Sequence, residues 1–109
     1  MSFDRAKLFS TKDMTEKAIT ACGMDFSVHV RRLPAVDLRR YHAELMSPDI
    51  DTRTKAGFDA LHKAIRNADG SAFASVAEFA TMDADAITAI TEAFNEVNAR
   101  RRDDDLGNA

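Results

Sequence analysis

A tight turn and a helix cap follow each other in residues 67–78, which read Asn67-Ala68-Asp69-Gly70-Ser71-Ala72-Phe73-Ala74-Ser75-Val76-Ala77-Glu78. Asp69-Gly70 predicts a turn, because glycine adopts the positive φ angle that most residues resist. Ser75 and Glu78 have the spacing of a capping box, in which each side chain bonds the backbone N–H of the other residue. The segment therefore predicts a helix end, a turn with one buried aromatic residue, Phe73, and then a new helix.

Helices are predicted on both sides of this segment, because apolar residues recur three and four positions apart. They cover residues 34–46, 52–67, 76–80 and 84–101. Pro34 is expected as the first residue of its helix and Asp83 as the N-cap of the last one. The stripes expected to be buried are Leu38, Tyr41 and Leu45; Phe58, Leu61 and Ile65; Val76 and Phe79; and Ile87, Ile90, Phe94 and Val97.

Residues 16–33 have the pattern of a β-hairpin. Apolar and polar residues alternate from Phe26 to Arg31, which is the period of a half-buried strand. Residues 16–22 form a weaker partner strand, and residues 23–25 supply the turn. The side chains expected to face the core are Phe26, Val28 and Val30, with His29 and Arg31 toward solvent.

The expected fold class is mainly α (α+β), with four to five helices and a small N-terminal antiparallel β-hairpin. The fifth helix is a short turn within residues 1–10, anchored by Phe3, Leu8 and Phe9. A chain of 109 residues is long enough for one modest core, so residues 1–99 are expected to form a single globular domain. Residues 100–109, an arginine run followed by an aspartate run, are expected to be a disordered tail.

Composition predicts an intracellular soluble protein without a membrane partner. The formal net charge is −3, and the single Cys22 allows no internal disulfide, which suits a reducing cytoplasm. Cys22 is expected to fill space in the core. No apolar run approaches the roughly 20 residues that cross a bilayer, and the N-terminus lacks the apolar region of a signal peptide.

No residue pattern predicts an enzyme, a metal site or a cofactor. His29, His42 and His62 lie on different predicted elements and lack metal-ligand spacing. If Asp69-Gly70 held positions 5 and 6 of a calcium loop, its first and last ligands would be Ile65 and Val76, which cannot bind the ion. A small enzyme subunit or toxin therefore stays an alternative without a supporting motif.

The arginine clusters leave a second alternative open, a small DNA-binding regulatory protein. Arg31-Arg32, Arg39-Arg40 and residues 100–102 are basic, and the helix over residues 52–67 adds Arg53, Lys55, Lys63 and Arg66. The acidic total and the missing turn motif of a DNA-binding helix pair argue against nucleic acid as a partner. Solvated faces and helix-end charges explain these clusters more simply.

Taken together, the segments resemble the tail assembly chaperones of long-tailed (siphovirus-type) bacteriophages and prophages. In that family an apolar strand runs through an Arg-Leu junction into a helix, as residues 28–38 do here. A long helix then ends in a turn with an Asp-Gly pair and a Phe, which residues 67–73 resemble. The last helix closes on an apolar-polar-Asn ending, which residues 93–98 resemble. The resemblance covers residues 15–99.

This resemblance implies a non-enzymatic virion-assembly factor that acts in the host cell cytoplasm and needs no cofactor. Such chaperones bind the tape measure protein, keep its apolar helices soluble and help recruit tail tube subunits. They often self-associate, so a homo-oligomer is a further expectation, and a longer frameshifted form is common. The residues expected to bind a partner are Phe26, Val28, Val30, Arg31, Phe94 and Val97.

Overall fold

The computed structural model describes residues 3–9 and 13–99, and its strands form one antiparallel sheet of order β1-β2-β3. The chain is therefore a compact α+β domain. Its elements in chain order are a 3₁₀ turn at Arg5–Phe9, β1 at Met14–Ala21, β2 at Met24–Arg31, α1 at Ala35–Leu45, α2 at Ile50–Ala64, β3 at Ile65–Arg66, α3 at Val76–Ala80 and α4 at Ala84–Asn98.

The predicted fold class, mainly α with a two-stranded hairpin, is wrong because a third strand joins the sheet. The helix predicted over residues 52–67 ends at Ala64, and Ile65 has an extended backbone with φ −87° and ψ 121°. Ile65 pairs with Val30 and is fully buried beside it. Ile65 lies four residues after Leu61, as it would on one face of a helix. Burial of its side chain against the sheet nevertheless favours the strand, which also suits a β-branched residue.

The hairpin itself is present, with a tighter turn than predicted. Ala21 pairs with Met24, so the turn consists of Cys22 and Gly23, at φ 56° and 73°. Positive φ at both turn residues matches the right-handed twist of the flanking strands. Cys22 is exposed at this turn, so its predicted place in the core is wrong.

The core lies between the sheet and the helices. α4 packs on β1 and β2, while α2 contacts α1, α3, α4 and β3. Among the described residues, the largest fully buried side chains are Val28, Val30, Ile65, Phe79, Ile90 and Phe94. The stripe predicted for α4 is confirmed at Ile90 and Phe94, whereas in α1 Leu38 and Tyr41 are half-buried and Leu45 is exposed.

The turn and caps predicted for residues 67–78 are confirmed. Gly70 has φ +90° and donates its N–H to the carbonyl of Asn67 at 2.9 Å. Ser75 Oγ accepts the N–H of Glu78 at 3.1 Å, and Glu78 Oε1 accepts the N–H of Ser75 at 2.9 Å. Asp83 also caps α4 as predicted, whereas Pro34 lies one residue before its helix instead of within it.

The N-terminal turn does not anchor to the domain as predicted. Phe3, Leu8 and Phe9 are 77%, 66% and 62% exposed. The predicted tail, residues 100–109, lies outside the described residues. Every helix in residues 3–9 and 13–99 is too short or too polar to cross a membrane.

Candidate functional site: an apolar groove at the hairpin tip

An apolar groove of about 520 Å³ opens where the hairpin turn meets the N-terminal half of α4. We call it the tip groove and define it by Met24, Phe26, Phe73, Met82, Ala86 and Ile90, which line it. Met24 is 58% exposed at its edge, and Ile90 is buried at its base. Its volume lies in the range of protein sites that hold small ligands or a few large side chains.

Phe73 forms a wall of the tip groove because the segment before it is tied to the sheet. Its N–H donates to the carbonyl of Ile65 at 3.3 Å, and Ala72 forms a bridge with Arg66. The Phe73 ring stacks on Phe26 with centroids 6.5 Å apart and on Phe79 at the same separation. Phe79 is fully buried, so this row of rings holds the exposed wall against the core.

The rim of the tip groove is acidic. Asp25 and Asp83 line it, and Asp85 follows in the first turn of α4. The pKa of the Cys22 thiol is raised by partial desolvation, by a hydrogen bond and the charge of Asp83, and by the charge of Asp85. The carboxylates of the rim therefore disfavour the thiolate form of Cys22 and favour binding of cationic groups.

The opposite end of the hairpin is closed by Asn98, the last residue of α4, which is 4% exposed. Its Oδ1 accepts the N–H of Leu33 at 2.7 Å, and its Nδ2 donates to the carbonyls of Arg31 and Phe94 at 3.2 and 3.3 Å. A buried amide is stable only when such partners are present. Asn98 therefore joins the end of α4 to the exit from β2.

Three arginine side chains at the same closed end donate hydrogen bonds to helix carbonyls. Arg31 and Arg66 both donate to the carbonyl of Lys63 near the end of α2, at 2.8 Å and at 3.0–3.1 Å. Arg32 donates to the carbonyl of Val97 at 3.1 Å, near the end of α4. Cations at helix C-termini also complement the helix dipole. These contacts explain the Arg31-Arg32 pair without a nucleic-acid partner.

The six residues predicted to bind a partner do not share one surface. Val28, Val30 and Phe94 are at most 2% exposed and belong to the core. Arg31 and Val97 are half-buried at the closed end, and of the six only Phe26 lines the tip groove.

Sequence reasoning missed most of the tip groove. The sequence pattern places Met24 in the turn and predicts that Phe73 is buried, whereas Met24 starts β2 and Phe73 is half-exposed. The available signal was the run Gly23-Met24-Asp25, because an apolar residue beside a tight turn has few neighbours that can cover it.

The three histidines form separate contacts outside the rim. His29 lies 3.5 Å from Glu16, His62 Nδ1 lies 2.9 Å from the carbonyl of Ala74, and His42 packs against Tyr41. Within residues 3–9 and 13–99, no three His, Cys, Asp or Glu side chains come together in a group able to hold a metal ion.

The tip groove is thus the surface of the described chain best suited to a ligand, and what it offers is apolar contact beside negative charge. Comparison with known proteins adds nothing to this assignment: no family model, no curated protein and no solved structure matches the chain.

Proposed function

We propose that this protein is a phage or prophage tail assembly chaperone that binds and solubilises the tape measure protein and helps recruit tail tube subunits. The observation that supports the proposal is the tip groove, an exposed apolar surface bordered by carboxylates. The resemblance of residues 15–99 to that family supplies the identity of the client. The protein then acts without catalysis, in the host cell cytoplasm, before the tail tube encloses the tape measure.

The shape and chemistry of the tip groove suit one turn or two of an amphipathic helix. Such a helix inserts apolar side chains from one stripe into a groove and leaves its polar face in water. The exposed side chain of Met24 and the half-exposed side chain of Met82 favour adaptable contacts, because methionine is flexible and polarisable. A chaperone that covers many similar helical segments requires this adaptability.

The acidic rim specifies the polar residues of the client. Asp25 and Asp83 both line the groove, one on β2 and the other as the N-cap of α4. Lysine or arginine residues beside the apolar stripe of the client would pair with these carboxylates. Because the carboxylates are exposed, the pairing guides association and weakens as salt is added.

The test is co-expression with the tape measure protein encoded nearby, followed by affinity capture and size-exclusion chromatography with light scattering. We expect a soluble complex, with the tape measure protein insoluble when it is expressed alone. Met24→Lys places a cation at the edge of the tip groove and should weaken capture about tenfold or more, as the loss of one apolar anchor does. Met46→Lys is the matched control, because Met46 is 84% exposed and lies outside the groove.

Two results would contradict the proposal. A tape measure protein that is equally insoluble with and without this chain would remove the chaperone function. Equal loss of capture by Met24→Lys and Met46→Lys would remove the tip groove as its site. A salt-sensitive shift of duplex DNA in a gel would instead favour the DNA-binding alternative.

A further inference from the structure

The outer edge of β1 has no backbone partner within residues 3–9 and 13–99. β1 is the first strand in the order β1-β2-β3, and no backbone hydrogen bond joins it to a described residue outside β2. The strand runs over eight residues, Met14–Ala21, in continuous register with β2 and without a proline. A long unpaired edge of this kind is a surface to which another extended chain adds as a strand.

The register of the hairpin determines which backbone groups of β1 face outward. Both turn residues have positive φ, so the turn is type I′ and the flanking residues, Ala21 and Met24, form a hydrogen-bonded pair. Hydrogen-bonded and non-hydrogen-bonded pairs alternate along an antiparallel ladder, so the N–H and C=O groups of Ile19 and Lys17 also point to β2. The residues whose N–H and C=O groups point to the open edge are all exposed: Glu16, Ala18 and Thr20.

A groove of about 180 Å³ lies between this edge and α4. We call it the edge groove and define it by six of the residues that line it: Lys17, Ala18, Thr20, Ala89, Glu92 and Glu96. Neighbouring residues of β1 point to opposite faces of the sheet, and both kinds line the groove, so it follows the strand edge itself. The edge groove and the tip groove share no lining residue.

The α4 side of the edge groove is suited to a cationic side chain. Lys17 Nζ pairs with Glu96 Oε2 at 2.7 Å, so a lysine on a strand beside α4 reaches a carboxylate of that helix. Glu92 lies one helical turn before Glu96, is exposed, and has no ion pair or hydrogen bond to another described side chain. A lysine or arginine on an added strand would pack its apolar stem against Ala89 and pair with Glu92.

We propose that an extended segment of a partner protein, in which lysine or arginine alternates with small polar residues, adds to β1 as an antiparallel fourth strand. The backbone of the segment bonds the outward groups of Ala18 and Thr20, and a cationic side chain lies beside Glu92. Its small polar side chains point to the solvent face of the sheet, as those of Ala18 and Thr20 do.

This docking goes beyond the proposed function and uses a different surface. Met24→Lys, which alters the tip groove, should leave it unchanged. Loss of tape measure binding and loss of strand addition are therefore distinguishable.

The test is ¹H–¹⁵N NMR and amide hydrogen exchange of the full-length protein. Without a ligand, the Lys17 and Ile19 amides should exchange more slowly than those of Ala18 and Thr20, which lack a partner. The probe is an acetylated and amidated peptide about as long as β1, in which threonine alternates with lysine. We expect it to shift these resonances saturably and to slow exchange at Ala18 and Thr20.

Two N-methylated forms of the probe separate strand addition from attraction of charge. Residues opposite each other in an antiparallel pair have side chains on the same face, so the threonines lie opposite Ala18 and bond β1, whereas the lysines point to α4. N-methylation of the threonines removes the donors that face β1 and should abolish binding. N-methylation of the lysines keeps those donors and the charge and should leave binding nearly unchanged. Equal binding of the two forms would overturn the proposal.

Glu92→Lys tests the cationic contact on the protein side and should weaken binding of the probe about tenfold. Asp51→Lys is the matched control, because it makes the same change of charge at an exposed position outside the edge groove. Equal weakening by the two variants would show that only the total charge matters and would overturn the contact with Glu92.

Ala18→Pro tests the backbone contact, because it removes an outward N–H and leaves the ladder between β1 and β2 intact. Circular dichroism checks that this variant folds, and it should bind the probe about tenfold or more weakly. Unchanged binding by a folded Ala18→Pro protein would overturn the proposal. Slow exchange at Ala18 and Thr20 before any probe is added would overturn it as well, because the edge would then already be covered by the chain itself or by a second copy.

Discussion

The two ends of the β1–β2 hairpin differ in how fully the chain covers them. At the end near Arg31 and Leu33, Asn98 and three arginine side chains bond backbone groups where β2, α2 and α4 end. At the end near Met24, the same sheet meets the first turns of α4 and leaves the tip groove open. One strand, β2, runs from the open end to the closed one.

The two ends of β2 therefore differ in role: contacts at the closed end stabilise the fold, and the open end offers an exposed surface. At the closed end, buried polar groups are hydrogen-bonded to one another, and removal of any partner lowers the free energy of unfolding. These contacts therefore stabilise the fold. The open end has exposed side chains whose replacement changes the free energy of unfolding little, so it is free to bind. Changes at the closed end should therefore destabilise the protein, and changes at the open end should weaken association.

The largest effect is expected from Phe94→Ala in the core beside the closed end. Phe94 is 2% exposed, and its ring meets Tyr41 edge-to-face with centroids 5.5 Å apart. The cavity should lower the free energy of unfolding by about 3–5 kcal/mol, measured by urea denaturation. Val97→Ala, at a half-buried site on the same helix, should cost less. Phe94→Asp should abolish folding. A Phe94→Asp protein that folds and loses only partner binding would show that Phe94 belongs to a binding surface and not to the core.

Asn98→Ala should have the next largest effect, because it leaves the Leu33 N–H and the Arg31 carbonyl without their partner. We expect the free energy of unfolding to fall by about 2–3 kcal/mol. Asn95→Ala is the matched control on an exposed position of α4, with an expected change within about 0.5 kcal/mol. Equal effects from the two variants would mean that the closed end does not depend on the buried amide.

Ser75→Ala tests the cap beside the open end. The Ser75 hydroxyl accepts the Glu78 N–H at 3.1 Å and starts α3, which follows the Phe73 wall of the tip groove. Its loss should lower the free energy of unfolding by about 1 kcal/mol, measured by thermal or urea unfolding. Ser75→Thr keeps the oxygen and should recover most of that loss. If Ser75→Ala lowers the free energy of unfolding more than Asn98→Ala does, the closed end is not the end that contributes more to stability.

The smallest expected effect is a pH dependence carried by Glu78. Its pKa is lowered by its hydrogen bonds with Ser75, first with the backbone N–H and then through the Ser75 side chain. A folded pKa below the unfolded one, about 4.3 for glutamate, gives stability that is complete above the unfolded value and is lost as the pH falls through the folded value.

The measurement for Glu78 is urea unfolding of the wild type and Glu78→Gln between neutral and acidic pH. Glutamine keeps the capping-box geometry without the charge. Any advantage of the wild type at neutral pH should shrink on acidification through the range below about pH 4. An advantage that grows as the pH falls would show that the folded pKa is raised instead.

Local patterns predicted the parts of the fold whose partners are close in sequence. The Asp69-Gly70 turn and the Ser75–Glu78 capping box involve residues at most four positions apart, and both are present. The alternation of residues 26–31 likewise predicted a strand with Val28 and Val30 inside. For the candidate site, the same pattern identified Phe26 but not Met24 or Met82, since exposure at the groove depends on where α4 crosses the sheet.

The third strand and the closed end could not be predicted from local patterns. Ile65 and Arg66 are too few residues to show an alternation, and Ile65 continues the helical spacing of α2. The partners of Asn98 at Leu33 and Arg31 are 65 and 67 residues away in sequence, so no short motif marks them. The position of Cys22 could not be predicted for a related reason: a small apolar side chain normally fills a core, and only the pairing of Ala21 with Met24 places this residue in a turn at φ 56°.

Turns, caps and strand alternation thus follow directly from neighbouring residues, because their energies arise within a few bonds of the chain. Which apolar side chains stay uncovered follows from the packing of α4 on β1 and β2, since burial depends on contacts between distant segments. For this protein, the first kind of information describes a small capped α+β domain. The packing of distant segments determines that the tip groove is open and that the end where Asn98 lies is closed.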